Sequence, residues 1–167
     1  MCSSVWDRLR RLVRVEYGQL DDLIEAYRSV VARCAAHEPD AIELAALAAM
    51  LHSFYTGIEN MLKRVAVEVD GGLPSGESWH HELLNQMTVP TNHRSQVLSQ
   101  PLSDALADYL HFRHLFRHAY TFDLRWEKMS GLVLACEELL AEVKRELDSF
   151  LGASDPTDPG PASTSRC

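Results

Sequence analysis

The sequence has few cysteines, and it has no long apolar run. Its cysteines (Cys2, Cys34, Cys136 and Cys167) are scattered, and no two stand at a spacing typical of a metal or redox site. We therefore expect a reducing, cytoplasmic environment. The longest apolar run, Leu44–Leu51, has eight residues, which is too short to cross a membrane. No basic start followed by an apolar stretch opens the chain, so neither a signal peptide nor membrane association is expected.

Basic residues are in deficit as well. The chain has 16 Lys and Arg against 24 Asp and Glu, which gives a net charge of −8. This balance excludes a nucleic-acid-binding surface that is basic all round, but it leaves local basic patches possible. A length of 167 residues with 46% hydrophobic residues is ordinary for one globular domain with its own core.

Glycine and proline are scarce outside two regions. Of the 15, six lie between residues 71 and 101 and five lie after residue 151. Apolar residues at helical spacing fill the stretches between them. The pattern predicts helices over about 9–34, 41–69, 79–87, 101–119 and 126–150. We therefore predict an all-α up-and-down bundle of four long helices plus a short one in residues 1–151, with a disordered tail in residues 152–167.

The densest polar cluster lies near the end of the fourth predicted helix. At about 100° per residue, with Arg113 at zero, Arg117 falls near 40°, His114 near 100°, His118 near 140° and Tyr120 near −20°. One side of the helix would thus gather two guanidiniums, two imidazoles and a phenol. We expect these side chains to lie off the core, so neither Arg113 nor His118 should contribute to core packing.

Leu110, Leu115 and Phe116 occupy other angles of the same helix, and they are expected to be able to face the core. The local charge over residues 113–128 is +2 in a chain of net charge −8. This reversal has two interpretations: a solvated helix face, with cations near the helix end, or a phosphate site with proton-transfer groups. Arginine binds phosphate through a rigid fork of donors, and histidine titrates near neutral pH.

A metal site at the same place is a weaker interpretation. His114 and His118 are spaced to hold an ion on one helix, but zinc catalysis needs a further ligand. The metalloprotease pattern H-E-x-x-H is absent because Leu115 stands where glutamate is required. We therefore expect neither a metal nor a cofactor, although a metal-dependent bundle enzyme remains an alternative.

Arg113, His118 and Tyr120 form the pattern R-x-x-x-x-H-x-Y, for which about 0.02 matches are expected by chance at this composition. Its position late in a small all-α chain resembles the HEPN ribonuclease superfamily. Within it the chain is similar, over about residues 5–150, to HepT toxins of type VII (HepT–MntA) toxin–antitoxin pairs. The strings Phe112–Tyr120 and Trp79–Leu84 support the resemblance. HEPN proteins often carry Asn or Asp after the motif arginine, where this chain has His114.

The resemblance implies a metal-independent endoribonuclease that acts as a homodimer. His118 would withdraw the 2′-hydroxyl proton of RNA, and Arg113 would stabilise charge on the phosphate. The second subunit's His118 would protonate the leaving group. His114, Arg117 and Tyr120 would support substrate binding, and Tyr120 would be the residue that a MntA-type nucleotidyltransferase antitoxin modifies with AMP.

A non-catalytic HEPN module is the main alternative. The same face could bind a nucleotide or a nucleotidyltransferase partner without cleaving RNA. Two further histidine positions are open to interpretation. His80 and His81 fit surface polarity at a helix start or a contribution to the substrate cleft, and His52 fits a core or interface histidine with satisfied hydrogen bonds.

Overall fold

The computed structural model describes residues 4–118 and 123–153, and these ranges contain five α-helices and no strand. The helices are α1 (Val5–Ala36), α2 (Ala41–Val65), α3 (Trp79–Met87), α4 (Gln100–His118) and α5 (Trp126–Ala153). The predicted all-α bundle of four long helices and a short one is confirmed. The short helix has the predicted bounds, and the predicted tail lies almost wholly outside the described residues.

Helix α2 is the central element of the bundle. Twelve of its 25 residues are buried, and it packs against each of the other four helices. It begins at a capping box, in which the Asp40 carboxylate accepts from two backbone N–H groups and the Glu43 carboxylate accepts from the Asp40 N–H. Such reciprocal bonds satisfy donors that a helix start otherwise leaves unpaired.

The C-terminal end of this helix differs from the prediction. The α-helical bonds stop at Val65, and a π-helical turn, Ala66–Asp70, continues the helix to Gly71. Gly71 has a φ of +86°, a conformation that only glycine adopts without strain. The turn sets the position of Asp70, which accepts hydrogen bonds from Arg94 in the loop before α4.

The span Ala41–Asp70 is long and apolar enough to cross a membrane, and it is the one such helix in the described part of the chain. The expectation from the sequence rests on the longest unbroken apolar run, which is short because polar residues interrupt this helix. The mean hydropathy of the helix is nevertheless high. The central helix of a bundle meets the same criterion of length and composition.

Helices α4 and α5 lie against each other beside α2. The Tyr109 hydroxyl on α4 donates to the Leu132 carbonyl on α5 over 2.7 Å. The predicted apolar stripe of α5 is buried from Met129 to Phe150, except for the half-buried Leu132. These contacts fix the rotation of α4, and therefore decide which residues of its C-terminal half face inward.

Candidate active site

The C-terminal half of α4 divides its polar residues between interior and surface. Arg113 is buried, whereas His114, Arg117 and His118 are exposed. The buried residues of α4 form one stripe along the helix: Leu102, Ser103, Leu106, Tyr109, Leu110 and Arg113. Arg113 continues this stripe because it follows Leu110 by three residues and Tyr109 by four.

The expectation that Arg113 lies off the core is therefore wrong. Only 9% of the residue is exposed. Its Nη1 lies 3.1 Å from Oε1 of Glu59 on α2, an ion contact without the alignment of a hydrogen bond. The guanidinium carbon also lies 5.6 Å from the centre of the Tyr55 ring. Because a buried charge needs a partner, the pair with Glu59 makes Arg113 a contact that joins α4 to α2.

Glu59 is the residue that sequence reasoning missed. It is 2% exposed, and its second oxygen, Oε2, lies 2.6 Å from Nδ1 of His80 on α3. One buried carboxylate thus bridges two side chains, and we call this set the Arg113–Glu59–His80 cluster. The sequence did contain a signal for this buried carboxylate. Glu59 is an acidic residue at helical spacing from Tyr55 and Leu62, in the most apolar of the described helices.

The Tyr55 ring lies next to Arg113, and the charges of Arg113 and Glu59 affect its pKa. Burial, and then the neighbouring Glu59 carboxylate, raise the pKa of the Tyr55 phenol, and Arg113 partly opposes this. Tyr55 is therefore a neutral phenol at ordinary pH. Its ring supports the guanidinium through a cation–π contact.

His52 lies on α2, and its ring centre is 5.8 Å from that of Phe116 on α4. Its Nδ1 is buried and has no hydrogen-bond partner within residues 4–118 and 123–153, which differs from the prediction of satisfied hydrogen bonds. Burial lowers the pKa of His52, and the charges of Arg113 and Arg117 lower it further. The imidazole is thereby held in its neutral form near the two arginines.

His114 and His118 stand one turn apart on the exposed side of α4, with ring centres 5.1 Å apart and edge-to-face. Arg117 is exposed beside them. These three residues we call the exposed motif face. They are free of the core and can meet a ligand or another molecule, as the sequence predicts for His118. The assigned roles of these residues stay predictions.

Leu115 differs from the expectation that it can face the core. It is 53% exposed, because it lies about 200° round the helix from Arg113. With Phe112 and Phe116 it lines a groove of about 800 Å³ between α4 and the start of α5. An apolar groove therefore adjoins the exposed motif face.

Two other predictions concern Tyr120 and a metal site. Tyr120 lies outside the described residues, so neither its proximity to Arg113 nor its modification is addressed by the geometry. Within residues 4–118 and 123–153, no group of three or more His, Cys, Asp or Glu side chains could hold a metal ion.

A comparison with known protein families shows to which family the chain belongs. The family model described as HepT-like protein matches residues 46–154, which is 109 of the 167 residues. The chain belongs to the HepT-like family. This match confirms the predicted HepT-like HEPN resemblance, and such HEPN modules are usually nucleases and often toxins of toxin–antitoxin systems. No curated protein and no solved structure matches the chain.

The HepT-like match begins within α2 and ends at the close of α5. It therefore includes Glu59, His80 and the whole of α4, whereas α1 lies outside it. The elements that build the cluster and the exposed motif face are thus the elements that carry the family relationship.

Proposed function

We propose that the chain is a metal-independent endoribonuclease and the cytoplasmic toxin of a type VII toxin–antitoxin pair. The observation that carries the proposal is that, in this HepT-like chain, the motif arginine is buried and the motif histidine is exposed. Arg113 is fixed by a buried carboxylate, while His118 is exposed to solvent. A positioned cation beside an accessible imidazole is the minimum for RNA cleavage by 2′-hydroxyl attack.

In the proposed reaction, His118 takes the proton of the 2′-hydroxyl group. The 2′-oxygen attacks the adjacent phosphorus, the bond to the 5′-oxygen breaks, and a 2′,3′-cyclic phosphate forms. Arg113 stabilises the charge that develops on the non-bridging phosphate oxygens. His114 and Arg117, on the exposed motif face, bind the neighbouring RNA phosphates.

A homodimer is the proposed active form. The groove lined by Phe112, Leu115 and Phe116 supports it, because apolar surface beside a polar site is typical of a protein interface. Two copies of α4 packed near this groove would bring their exposed motif faces into one RNA-binding cleft.

The proposed antitoxin is a MntA-type nucleotidyltransferase that transfers AMP to Tyr120. An AMP group on the residue two positions after His118 would add a phosphodiester charge and a nucleoside next to the exposed motif face. It would therefore compete with RNA for Arg117 and block access to His118.

The test of ribonuclease activity uses purified protein and mixed cellular RNA in the presence of EDTA. The wild type should release products with 2′,3′-cyclic phosphate ends, and His118→Ala should release none. Induced expression should arrest growth for the wild type and not for His118→Ala. If the wild type is harmless and cleaves nothing, the chain is a non-catalytic binding module. Cleavage that EDTA stops would instead indicate a metal-dependent enzyme.

The test of regulation is co-expression with a MntA-type nucleotidyltransferase, followed by peptide mass spectrometry. AMP should be found on Tyr120, and the modified protein should no longer cleave RNA. A Tyr120→Phe variant should escape this inactivation. Unmodified Tyr120, or undiminished cleavage after modification, would contradict the regulatory part of the proposal and leave the nuclease part standing.

A further inference from the structure

We propose that His80 is the general acid of this site, which protonates the 5′-oxygen leaving group, and that Glu59 is its positioning residue. The inference rests on the proposed ribonuclease function and replaces the second subunit's His118 in that role. It begins from the cluster itself, in which the two oxygens of one buried carboxylate hold Arg113 and His80.

The contact with Glu59 defines which nitrogen of His80 can transfer a proton. A carboxylate accepts hydrogen bonds and donates none, so Nδ1 of His80 carries the proton in the 2.6 Å contact with Oε2. Nε2 is then the atom that exchanges protons, as it is in histidines oriented by a carboxylate in other acid–base sites.

The His80 ring is held in place by its neighbours and is still partly exposed to solvent. Trp79 stacks on it with ring centres 3.8 Å apart, and Glu59 fixes its rotation from the other direction. The side chain still exposes 23% of its surface. A purely structural histidine would gain nothing from this exposure, whereas a proton donor needs it.

The cluster also places His80 beside the group that would bind the phosphate. Arg113 and His80 contact the two different oxygens of the Glu59 carboxylate, so in the proposed reaction a phosphate bound by Arg113 would have His80 on the other side of that carboxylate. His80 lies on α3 and reaches the cluster through Glu59 of α2, whereas His118 lies about 140° round α4 from Arg113. In-line displacement requires the base and the acid on different sides of phosphorus, and these two histidines come from different directions.

The step balances without any further reactant. The 2′-oxygen forms a bond to phosphorus as its proton passes to His118. The bond from phosphorus to the 5′-oxygen breaks, and that oxygen takes the Nε2 proton of the His80 imidazolium. The products are a 2′,3′-cyclic phosphate and a 5′-hydroxyl group. The two histidines then recover their starting protonation by exchange with solvent.

The experiment compares two RNA oligonucleotides that differ by one atom at the mapped cleavage site. One has the natural 5′-bridging oxygen, and the other has sulfur there, which leaves as a thiolate without needing a proton. His80→Asn removes the transferable proton and keeps an amide N–H for Glu59. It should lower kcat/KM for the oxygen substrate by about 10²–10⁴-fold, the usual contribution of a general acid, and leave the sulfur substrate unaffected.

Two controls separate this role from a structural one. His81→Asn changes the exposed neighbouring histidine and should leave both substrates unaffected. His118→Asn removes the base and should slow both substrates alike. If His80→Asn slows both substrates equally, or slows neither, His80 is not the acid. If the wild type cleaves neither substrate, the proposed function itself fails, and this inference with it.

A measurement on the wild type alone covers the case in which His80→Asn fails to fold. The pH profile of kcat/KM should fall on its alkaline side for the oxygen substrate, because the acid loses its proton. The same fall should be absent for the sulfur substrate. An identical alkaline fall for both substrates would overturn the proposal, whatever the variant does.

Discussion

At the scale of single residues, Arg113→Ala and His118→Ala should differ in their effect on stability. The sequence motif alone predicts no such difference. Arg113→Ala removes a partner of the buried Glu59, while His118→Ala removes an exposed side chain. We expect Arg113→Ala to lower the free energy of unfolding by about 3 kcal/mol, the lower end for breaking a buried ion pair, because His80 still pairs with Glu59. His118→Ala should stay within about 0.5 kcal/mol of the wild type.

Urea denaturation of the two variants measures this difference. Equal stabilities would mean that the Glu59 contact contributes nothing, and the earlier expectation of a purely functional Arg113 would then be right. The result also decides how Arg113 variants are used in activity assays. Loss of cleavage in Arg113→Ala is informative only at a temperature at which the variant is folded.

His52 gives a second prediction at this scale, which concerns pH. Burial and the two arginines lower its pKa in the folded state below the ordinary value of 6.5. The unfolded chain therefore binds the His52 proton more readily, and the free energy of unfolding falls as pH drops through about 6.5. The loss stops growing below the folded pKa, where both states are protonated.

The measurement is urea denaturation of the wild type and His52→Gln between pH 8 and pH 5. The variant should lose less stability than the wild type over this interval. His37→Gln, at an exposed histidine, is the matched control and should keep the slope of the wild type. A His52→Gln slope as steep as that of the wild type would show that His52 is not held neutral.

At the scale of elements, the π-helical turn and the loop before α4 are joined by a buried ion pair. The Arg94 side chain is 0% exposed, and Asp70 is 8% exposed. Arg94 donates from Nε and Nη2 to the two Asp70 oxygens over 2.7 and 2.9 Å. It also donates to the carbonyls of Val89, Ser95 and Gln86. One guanidinium thus supplies hydrogen bonds to a loop that has no helical bonds of its own.

We expect Arg94→Ala to lower the free energy of unfolding by about 3–5 kcal/mol, since it leaves the buried Asp70 carboxylate without its cation and with Gln86 as its remaining side-chain donor. Arg94→Lys should recover little, because an ammonium cannot reproduce the forked contact. Arg145→Ala is the matched control. Its pair with Glu142 is exposed on both sides, and its loss should cost less than about 1 kcal/mol. Thermal denaturation measures all three, and a small loss for Arg94→Ala would contradict the role given to this pair.

The same elements show what the sequence could and could not predict. Helices α3 and α5 follow from local apolar spacing and from flanking glycine and proline, and their predicted bounds are right to within a few residues. The inward position of Arg113 and the exposure of Leu115 depend on how α4 is rotated. That rotation is set by contacts with α2 and α5, which no local pattern contains. The cluster joins residues 59, 80 and 113, and three separate helices must be packed before they meet.

At the scale of the whole molecule, the groove between α4 and α5 bears on the oligomeric state. Leu115 exposes 53% of its surface within it, beside the exposed motif face. A monomer would leave this apolar surface in water, whereas a dimer would cover it and bring two sets of His114, Arg117 and His118 together. We expect gel filtration with light scattering to give twice the chain mass of 18.8 kDa.

Leu115→Asp should shift this equilibrium to the monomer, because dimerisation would bury an unpaired carboxylate. Val15→Asp is the matched control, since Val15 is 58% exposed on α1, away from the groove, and this variant should remain dimeric. Cleavage of RNA should fall with dissociation, because each protomer contributes half of the proposed RNA-binding surface, although each holds its own acid and base. A Leu115→Asp monomer that cleaves RNA at the rate of the wild type would show that one chain binds and cleaves RNA without its partner, and a monomeric wild type would assign the groove to another partner.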